Sequence, residues 1–147
     1  PAPMKRYALL LLLALVVASA RVHVQSPASA PAIADPSGAY RCDGTSPDGL
    51  KYRAAVHIAK NGETFVVQWL TPKGVVNVGV GVLNGNTLAV GYVGTTAGVV
   101  IYKLNGTKEM TGEWTDLEAG GHVYTETLTK LADGEKIVMP KGGGPVF

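Results

Sequence analysis

Residues 51–71 read KYRAAVHIAKNGETFVVQWLT, and apolar and polar residues alternate along both halves of this stretch. Between the halves stands Asn61-Gly62, the pair typical of a type I′ turn in a two-residue β-hairpin. Alternation with a period of two places the apolar side chains on one face of a strand. The stretch therefore predicts two antiparallel strands joined by a tight hairpin.

The same alternation recurs along the chain, where Gly, Asn and Pro turn signals separate the segments. It predicts strands at residues 38–43, 50–60, 63–71, 75–83, 87–93, 98–104, 109–115 and 122–130. Short connections make consecutive strands antiparallel neighbours, and closing the sheet pairs both edges and hides its apolar face. The sequence predicts an all-β protein, a single small antiparallel up-and-down β-barrel of about eight strands.

The alternation also assigns the two faces of each strand. On residues 75–83 it places the valines inside the barrel, namely Val76, Val78, Val80 and Val82. The outward residues of the fourth to sixth strands are then small or apolar: Gly79, Gly81, Ala89, Gly91, Val99 and Ile101. Such a flat surface favours contact with a protein partner or with a second copy of the barrel.

Five aromatic residues fall on the inward face: Tyr52, Trp69, Tyr92, Tyr102 and Trp114. An eight-stranded barrel is wide enough to hold one small ligand, so these side chains are candidates for an interior ligand site. They serve equally as ordinary core, because many valines share the interior with them. The sequence leaves both interpretations open.

Alternate loops of a meander lie at the same end of the barrel. Four ionisable residues are expected around one mouth: Asp48, Asp116, Glu118 and His122. Carboxylates and a histidine are able to bind a cation or to transfer protons. No spacing in the sequence matches a known metal-binding or catalytic motif. The sequence therefore predicts no metal site and no cofactor, and a hydrolase at this mouth is the weakest hypothesis.

The burial of two further residues depends on which face of their strand points into the barrel. Glu126 alternates with Tyr124 and Leu128, and an inward Glu126 would need a Tyr hydroxyl or an Arg as partner. The alternative turns Val123 and its alternating neighbours inward and leaves Glu126 in water. Cys42, the only cysteine, shares a face with Tyr40 and is expected to be buried.

The beginning of the chain has the composition of an export signal. Lys5 and Arg6 precede an apolar run, and Ala18-Ser19-Ala20 matches an A-x-A cleavage site. We predict four regions: a signal peptide at 1–20, an Ala/Ser/Pro-rich linker at 21–36, the barrel at 37–131 and a flexible tail at 132–147. The apolar run is too short to span a bilayer, so no stable membrane span is expected after cleavage. The sequence therefore predicts an exported protein, either periplasmic or secreted.

Cleavage of this signal would leave a chain with no net charge. Lys5 and Arg6 are two of the 13 basic residues, and the other 11 equal the 11 acidic residues in number. A neutral chain without a run of Lys and Arg lacks the electrostatic footprint that binding to a phosphate backbone requires. Nucleic acid is therefore not expected as a partner.

A set of glycines, aromatic residues and turn residues resembles a known group: Gly38-Ala39-Tyr40, Cys42, Pro47-Asp48-Gly49, Trp69, Gly79-x-Gly81, Gly85-Asn86, Gly112-x-Trp114 and Thr125-Glu126. Over residues 37–130 the chain is similar to small exported bacterial β-barrel proteins commonly labelled fibronectin-binding. In outline it also resembles avidin-like and lipocalin-like meander barrels. The resemblance implies a fold, and it carries over no catalytic residue and no ligand.

Two classes of function follow from the sequence. The first is an exported, non-enzymatic barrel that binds a protein or another extracellular component through its outer face or loops. A fibronectin-like host matrix or self-association would belong to this class. The alternative is a calycin-like carrier that holds a small hydrophobic ligand inside the barrel. Whether the interior is filled or hollow separates the two classes.

Overall fold

Short turns join every consecutive pair of strands in the computed structural model, which describes residues 34–137. The eight strands are β1 (Gly38–Thr45), β2 (Lys51–Asn61), β3 (Thr64–Thr71), β4 (Gly74–Asn84), β5 (Thr87–Val93), β6 (Ala97–Asn105), β7 (Glu109–Asp116) and β8 (Tyr124–Lys130). They form one closed antiparallel barrel in chain order. The predicted fold class and strand number are confirmed.

Pairing between the first and last strands closes the barrel. The register of β1 and β8 runs from Tyr40 opposite Lys130 to Gly44 opposite Glu126. The sheet consequently has no free edge that another strand could extend.

The hairpin between β2 and β3 differs in detail from the predicted type I′ turn. Asn61 pairs with Thr64, so the two central residues are Gly62 and Glu63. Only Gly62, the first of them, has a positive φ, of 61°. That pattern fits a type II′ turn, which requires glycine at its first central position alone. Both turn types suit the twist of a hairpin, so the strand pairing is as predicted.

One end of the barrel is closed by the residues that precede β1. Pro36 is fully buried, and Ala34 packs against the hydrophobic core. The Tyr40 hydroxyl donates a hydrogen bond to the Pro36 carbonyl at 2.7 Å. Burial raises the pKa of Tyr40 to about 12, so the hydroxyl keeps its proton at neutral pH. Ala34 and Pro36, which precede the predicted start of the barrel at residue 37, thus pack with the barrel.

Strand β4 faces the opposite way from the prediction. A bulge between Trp69 and Leu70 of β3 shifts the register, and Asn77 then lies opposite Trp69. Beyond this bulge the glycines Gly79 and Gly81 point into the barrel and are buried. The alternate valines are exposed, namely Val78, Val80 and Val82.

The physical reason for this correction is the space inside the barrel. A Cβ atom on Gly79 would lie 2.7 Å from Val90 Cγ1, and one on Gly81 would lie 2.9 Å from Leu88 Cδ1. Side chains of β5 therefore fill the volume beside β4, and only glycine fits opposite them. The predictions that Gly79 and Gly81 face outward and that three β4 valines face inward are wrong.

Several predictions concern residues outside the described range. The signal peptide at 1–20, most of the linker at 21–36 and the last part of the tail at 132–147 belong to this group. Within residues 34–137 there is no helix long and apolar enough to cross a membrane.

Gly79 and Gly91 offer a matched pair of substitutions that tests the corrected orientation of β4. Gly79→Ala should destabilise the protein by about 1–3 kcal/mol, because its methyl group enters filled space. A Cβ on Gly91 has no atom within 4 Å. Gly91→Ala should therefore be neutral or stabilising by up to about 1 kcal/mol. Denaturant unfolding measures both, and the reverse order of the two effects would contradict this orientation.

Candidate functional site

A buried carboxylate lies at the centre of the mouth-side half of the barrel. Glu126 on β8 faces inward and is 7% exposed. Its neighbours across the sheet are Gly44 on β1 and Gly112 on β7. A side chain at either glycine would collide with a tyrosine ring, that of Tyr52 or that of Tyr102. The two glycines therefore leave the room in which two tyrosines approach one carboxylate.

Three donors satisfy this carboxylate. The Tyr52 hydroxyl donates to Glu126 Oε2 at 2.5 Å, and the Cys42 thiol donates to the same oxygen at 3.2 Å. The Tyr102 hydroxyl donates to Oε1. Among the described residues Glu126 forms no ion pair. The sequence left the direction of Glu126 open. In the structure its side chain faces inward, and tyrosine hydroxyls are among its partners.

The donors keep their protons because of their surroundings. Burial raises the pKa of Cys42, Tyr52 and Tyr102, and the nearby negative charge of Glu126 raises each pKa further. A hydrogen bond with Trp114 acts in the opposite direction on the pKa of Tyr52. The thiol and both phenols are consequently neutral donors at pH 7, and the buried Cys42 is not a reactive thiolate.

The interior beside Glu126 holds a small cavity of about 20 Å³, called the inner cavity here. Its lining comprises Tyr52, Trp69, Asn77, Tyr92, Val100, Trp114 and Glu126. This volume accommodates about one water molecule and no organic ligand. Four of the five aromatic residues proposed for an interior site surround it, whereas Tyr102 is completely buried behind them. The barrel is therefore filled rather than hollow.

A larger cavity of about 400 Å³ lies directly outside, at the open end of the barrel. This mouth cavity is lined by Ser46, Pro47, Asp48, Asn77, Tyr92, Thr95, Thr96, Trp114, Asp116 and Glu118. Asn77, Tyr92 and Trp114 line both cavities. They form the floor of the mouth cavity and separate it from Glu126.

Hydrogen bonds within the loops hold the rim of the mouth cavity. The Ser46 hydroxyl lies 2.5 Å from Asp48 Oδ1 and 2.9 Å from the Leu50 carbonyl. The bond from the Ser46 hydroxyl, followed by one that the Leu50 amide donates to Asp48 Oδ1 at 3.2 Å, lowers the pKa of Asp48 and keeps its carboxylate ionised. On the opposite side Asp116 Oδ1 accepts a hydrogen bond from the Glu118 amide at 2.9 Å. Both loops are thus locally organised around an acidic residue.

The structure brings together three of the four ionisable residues expected at this mouth. Asp48, Asp116 and Glu118 line the mouth cavity, and His122 does not. The ring of His122 lies outside it, 6.4 Å from the ring of Tyr124. Among the described residues no His, Cys, Asp and Glu side chains are grouped as metal ligands.

The outer surface of β4, β5 and β6 carries an apolar patch that differs from the predicted one. Four of the six residues predicted for this surface are exposed there. Gly79 and Gly81 point into the barrel, and valines of β4 are exposed in their place. The outer apolar patch consists of Val78, Val80, Val82, Ala89, Gly91, Val93, Val99 and Ile101. Its residues lie in cross-strand rows, such as Val80 beside Gly91 and Val99. The sequence analysis missed these valines because it predicted the opposite orientation for β4.

Comparison with known proteins establishes the fold. No protein-family model and no curated protein matches the chain. Among solved structures it is similar to a redesigned β-barrel, with 15% identity and a TM-score of 0.57 over 66% of this chain and 92% of the other. A redesigned β-barrel, mFAP1, bound to DFHBI matches with 17% identity and a TM-score of 0.53 over 65% and 94%. These identities support a common architecture only.

The hydrogen bonds of Glu126 can be tested with Tyr102→Phe. We expect a loss of about 1.5–3 kcal/mol in unfolding free energy, because a buried carboxylate loses a charge-assisted donor. Tyr92→Phe is the control, since the hydrogen bond of the Tyr92 hydroxyl to the Thr115 carbonyl is long, at 3.4 Å, and therefore weak. It should cost less than about 1 kcal/mol. Both losses in unfolding free energy are measured by denaturant titrations of equal slope. Equal losses for the two variants would contradict a stabilising role of the Tyr102 hydrogen bond to Glu126.

Proposed function

We propose that the protein is a non-catalytic binding barrel that holds a small organic ligand in the mouth cavity. The observation that carries this proposal is the size and lining of that cavity. Its volume of about 400 Å³ falls in the range of small-molecule sites, about 300–1,000 Å³. Tyr92 and Trp114 supply an apolar floor, and the rim supplies polar groups. This function belongs to the carrier class, with the ligand at the mouth instead of inside the barrel.

The change of location follows from packing. The aromatic residues that the sequence assigned to an interior site fill the barrel and leave only the inner cavity of about 20 Å³. A ligand of drug-like size would have to displace Trp69 or Trp114, each only 5% exposed. Two of these aromatic residues, Tyr92 and Trp114, line the mouth cavity instead. The fold of mFAP1, which is bound to DFHBI, supports the proposal by showing that such a barrel is compatible with ligand binding.

A binding role fits the mouth better than a catalytic one. The Ser46 hydroxyl is held between Asp48 and Leu50 within its own loop, and no imidazole lines the mouth cavity among the described residues. The thiol of Cys42 is buried and protonated. We therefore include the absence of catalysis in the proposal, together with the export that residues 1–20 predict.

Ligand binding can be tested by titrating the protein with two aromatic probes, neutral N-phenyl-1-naphthylamine and the smaller cation benzyltrimethylammonium. We expect at least one probe to change tryptophan fluorescence with saturation at one equivalent, because Trp114 lines the cavity. Tyr92→Ala should weaken that binding about tenfold by removing half of the aromatic floor. Val93→Ala, on the outer face of the same strand, should leave it unchanged. No saturable binding of either probe would contradict the proposal.

The outer apolar patch supports a second candidate function, the binding of a protein. Val80 and Val82 on β4 and Val99 on β6 are 58%, 57% and 53% exposed. The uncharged Gly91 of β5 stands between Val80 and Val99. Continuous exposed apolar patches on small proteins commonly mark interaction surfaces. A second copy of the chain or a matrix protein would be the partner, and the fibronectin-binding label of the resembling proteins belongs to this candidate.

Val80→Arg tests this second candidate. It should abolish self-association in light scattering, or retention on immobilised fibronectin, because it places a charge at the centre of the patch. Ala39→Arg is the control, since Ala39 is exposed on β1, four strands away from β5 in the closed barrel. Association that survives Val80→Arg, or its complete absence in the unchanged protein, would contradict a role for this surface.

A further inference from the structure

The charges around the mouth cavity all have one sign. Asp48 comes from the β1–β2 loop, Asp116 from the end of β7 and Glu118 from the β7–β8 loop. No Lys, Arg or His is among its described lining residues. A concave site lined by one sign of charge concentrates the opposite charge in its ligands.

A fourth negative charge lies beneath the floor. The Glu126 carboxylate borders the inner cavity, directly behind Asn77, Tyr92 and Trp114. Its three donors are neutral groups, so its charge is stabilised without being neutralised. In the low-dielectric interior this charge adds to the negative potential of the mouth more strongly than an exposed carboxylate would.

The basic residues at this end of the barrel, including Lys73 in the β3–β4 turn, lie outside the lining of the mouth cavity. Arg41 and Arg53 both contact Asp43 at 2.7 Å, and all three side chains are about one-third exposed. Lys51 bonds to Thr45 on the same outer side. Lys51 and Arg53 line an outer groove beside β1 and β8, which also includes Glu126 but neither the floor nor the rim of the mouth cavity. These basic groups are therefore not part of the mouth cavity.

The floor suits the apolar part of a cationic ligand. Tyr92 and Trp114 present aromatic rings, whose negative faces attract a cation within about 6 Å. Asn77, Thr95 and Thr96 add uncharged polar groups at the same level. Aromatic rings are the groups with which proteins recognise quaternary ammonium ligands. The rim adds carboxylates, whose charge is opposite to that of such a ligand.

From this arrangement we propose that the ligand of the mouth cavity is an organic cation, an amine or quaternary ammonium compound that carries an apolar group. The charged group lies at Asp116 and Glu118, and the apolar group rests on Tyr92 and Trp114. The inference rests on the proposed function, because it names the ligand class of the same cavity. It also excludes fatty acids and other anionic amphiphiles, which the rim carboxylates would repel.

Three probes of similar shape separate this inference from the proposed function. They are benzyltrimethylammonium, its neutral carbon isostere neopentylbenzene, and the anion 3-phenylpropanoate. Calorimetric titration of the full chain should give a dissociation constant for the cation at least about tenfold below that of the neutral isostere. The anion should bind more weakly than both. The preference for the cation should shrink in concentrated salt, which screens exposed charges.

Single substitutions locate the source of this preference. Glu118→Gln and Asp116→Asn each remove one rim charge and should weaken binding of the cation several-fold, with binding of neopentylbenzene unchanged. Glu63→Gln removes the same charge from the β2–β3 turn at the opposite end of the barrel. It should alter neither affinity.

Each outcome has a distinct meaning. Equal affinities for all three probes would overturn the cation inference and leave the proposed function standing. A failure of all three to bind would overturn the cation inference, and would overturn the proposed function itself if N-phenyl-1-naphthylamine also failed to bind. A preference for the cation that survives both rim substitutions would overturn the assignment of the charged group to Asp116 and Glu118. A preference for the cation that weakens with each rim substitution supports the inference.

Discussion

The burial of the Glu126 carboxylate is the constraint on which the open half of this barrel depends. An ionised group in an apolar interior is costly unless donors surround it. Tyr52, Tyr102 and Cys42 provide those donors, and Gly44 and Gly112 provide the space that the tyrosine rings occupy. Toward the closed end the interior is packed and almost entirely apolar, with Ile58, Phe65 and Met110 among its members. The two halves of the barrel therefore have different chemistry.

This division determines where a ligand can bind. The rings that shield Glu126 and the inner cavity also form the floor of the mouth cavity, so binding occurs above the core rather than inside it. Because loops build the rim while strands hold the floor, specificity and stability reside in different parts of the chain. The outer apolar patch lies on the outer face of β4, β5 and β6, whereas the mouth cavity opens among the loops at one end of the barrel.

The sequence was informative wherever one face of a strand was clearly polar. Strands β2 and β7 alternate charged or polar residues with mostly apolar ones, and their orientation is correctly predicted. Strand β4 alternates valine with glycine, so neither face is polar, and the choice depends on the volume that β5 leaves inside. The bulge at Trp69 and Leu70 has no local signal. The inward direction of Glu126 was equally undecided, because its partners lie 74 and 84 residues away on β2 and β1.

The central claim is that ligands enter above a filled barrel, on the floor formed by Asn77, Tyr92 and Trp114. A titration of ¹⁵N-labelled protein with benzyltrimethylammonium, followed by NMR, tests it directly. We predict the largest shifts at the Trp114 indole and the Asn77 side-chain amide, with the amides of Val80 and Ile101 unchanged. Shifts confined to those two outer-face amides, or no saturable shift at Trp114 and Asn77, would contradict the account.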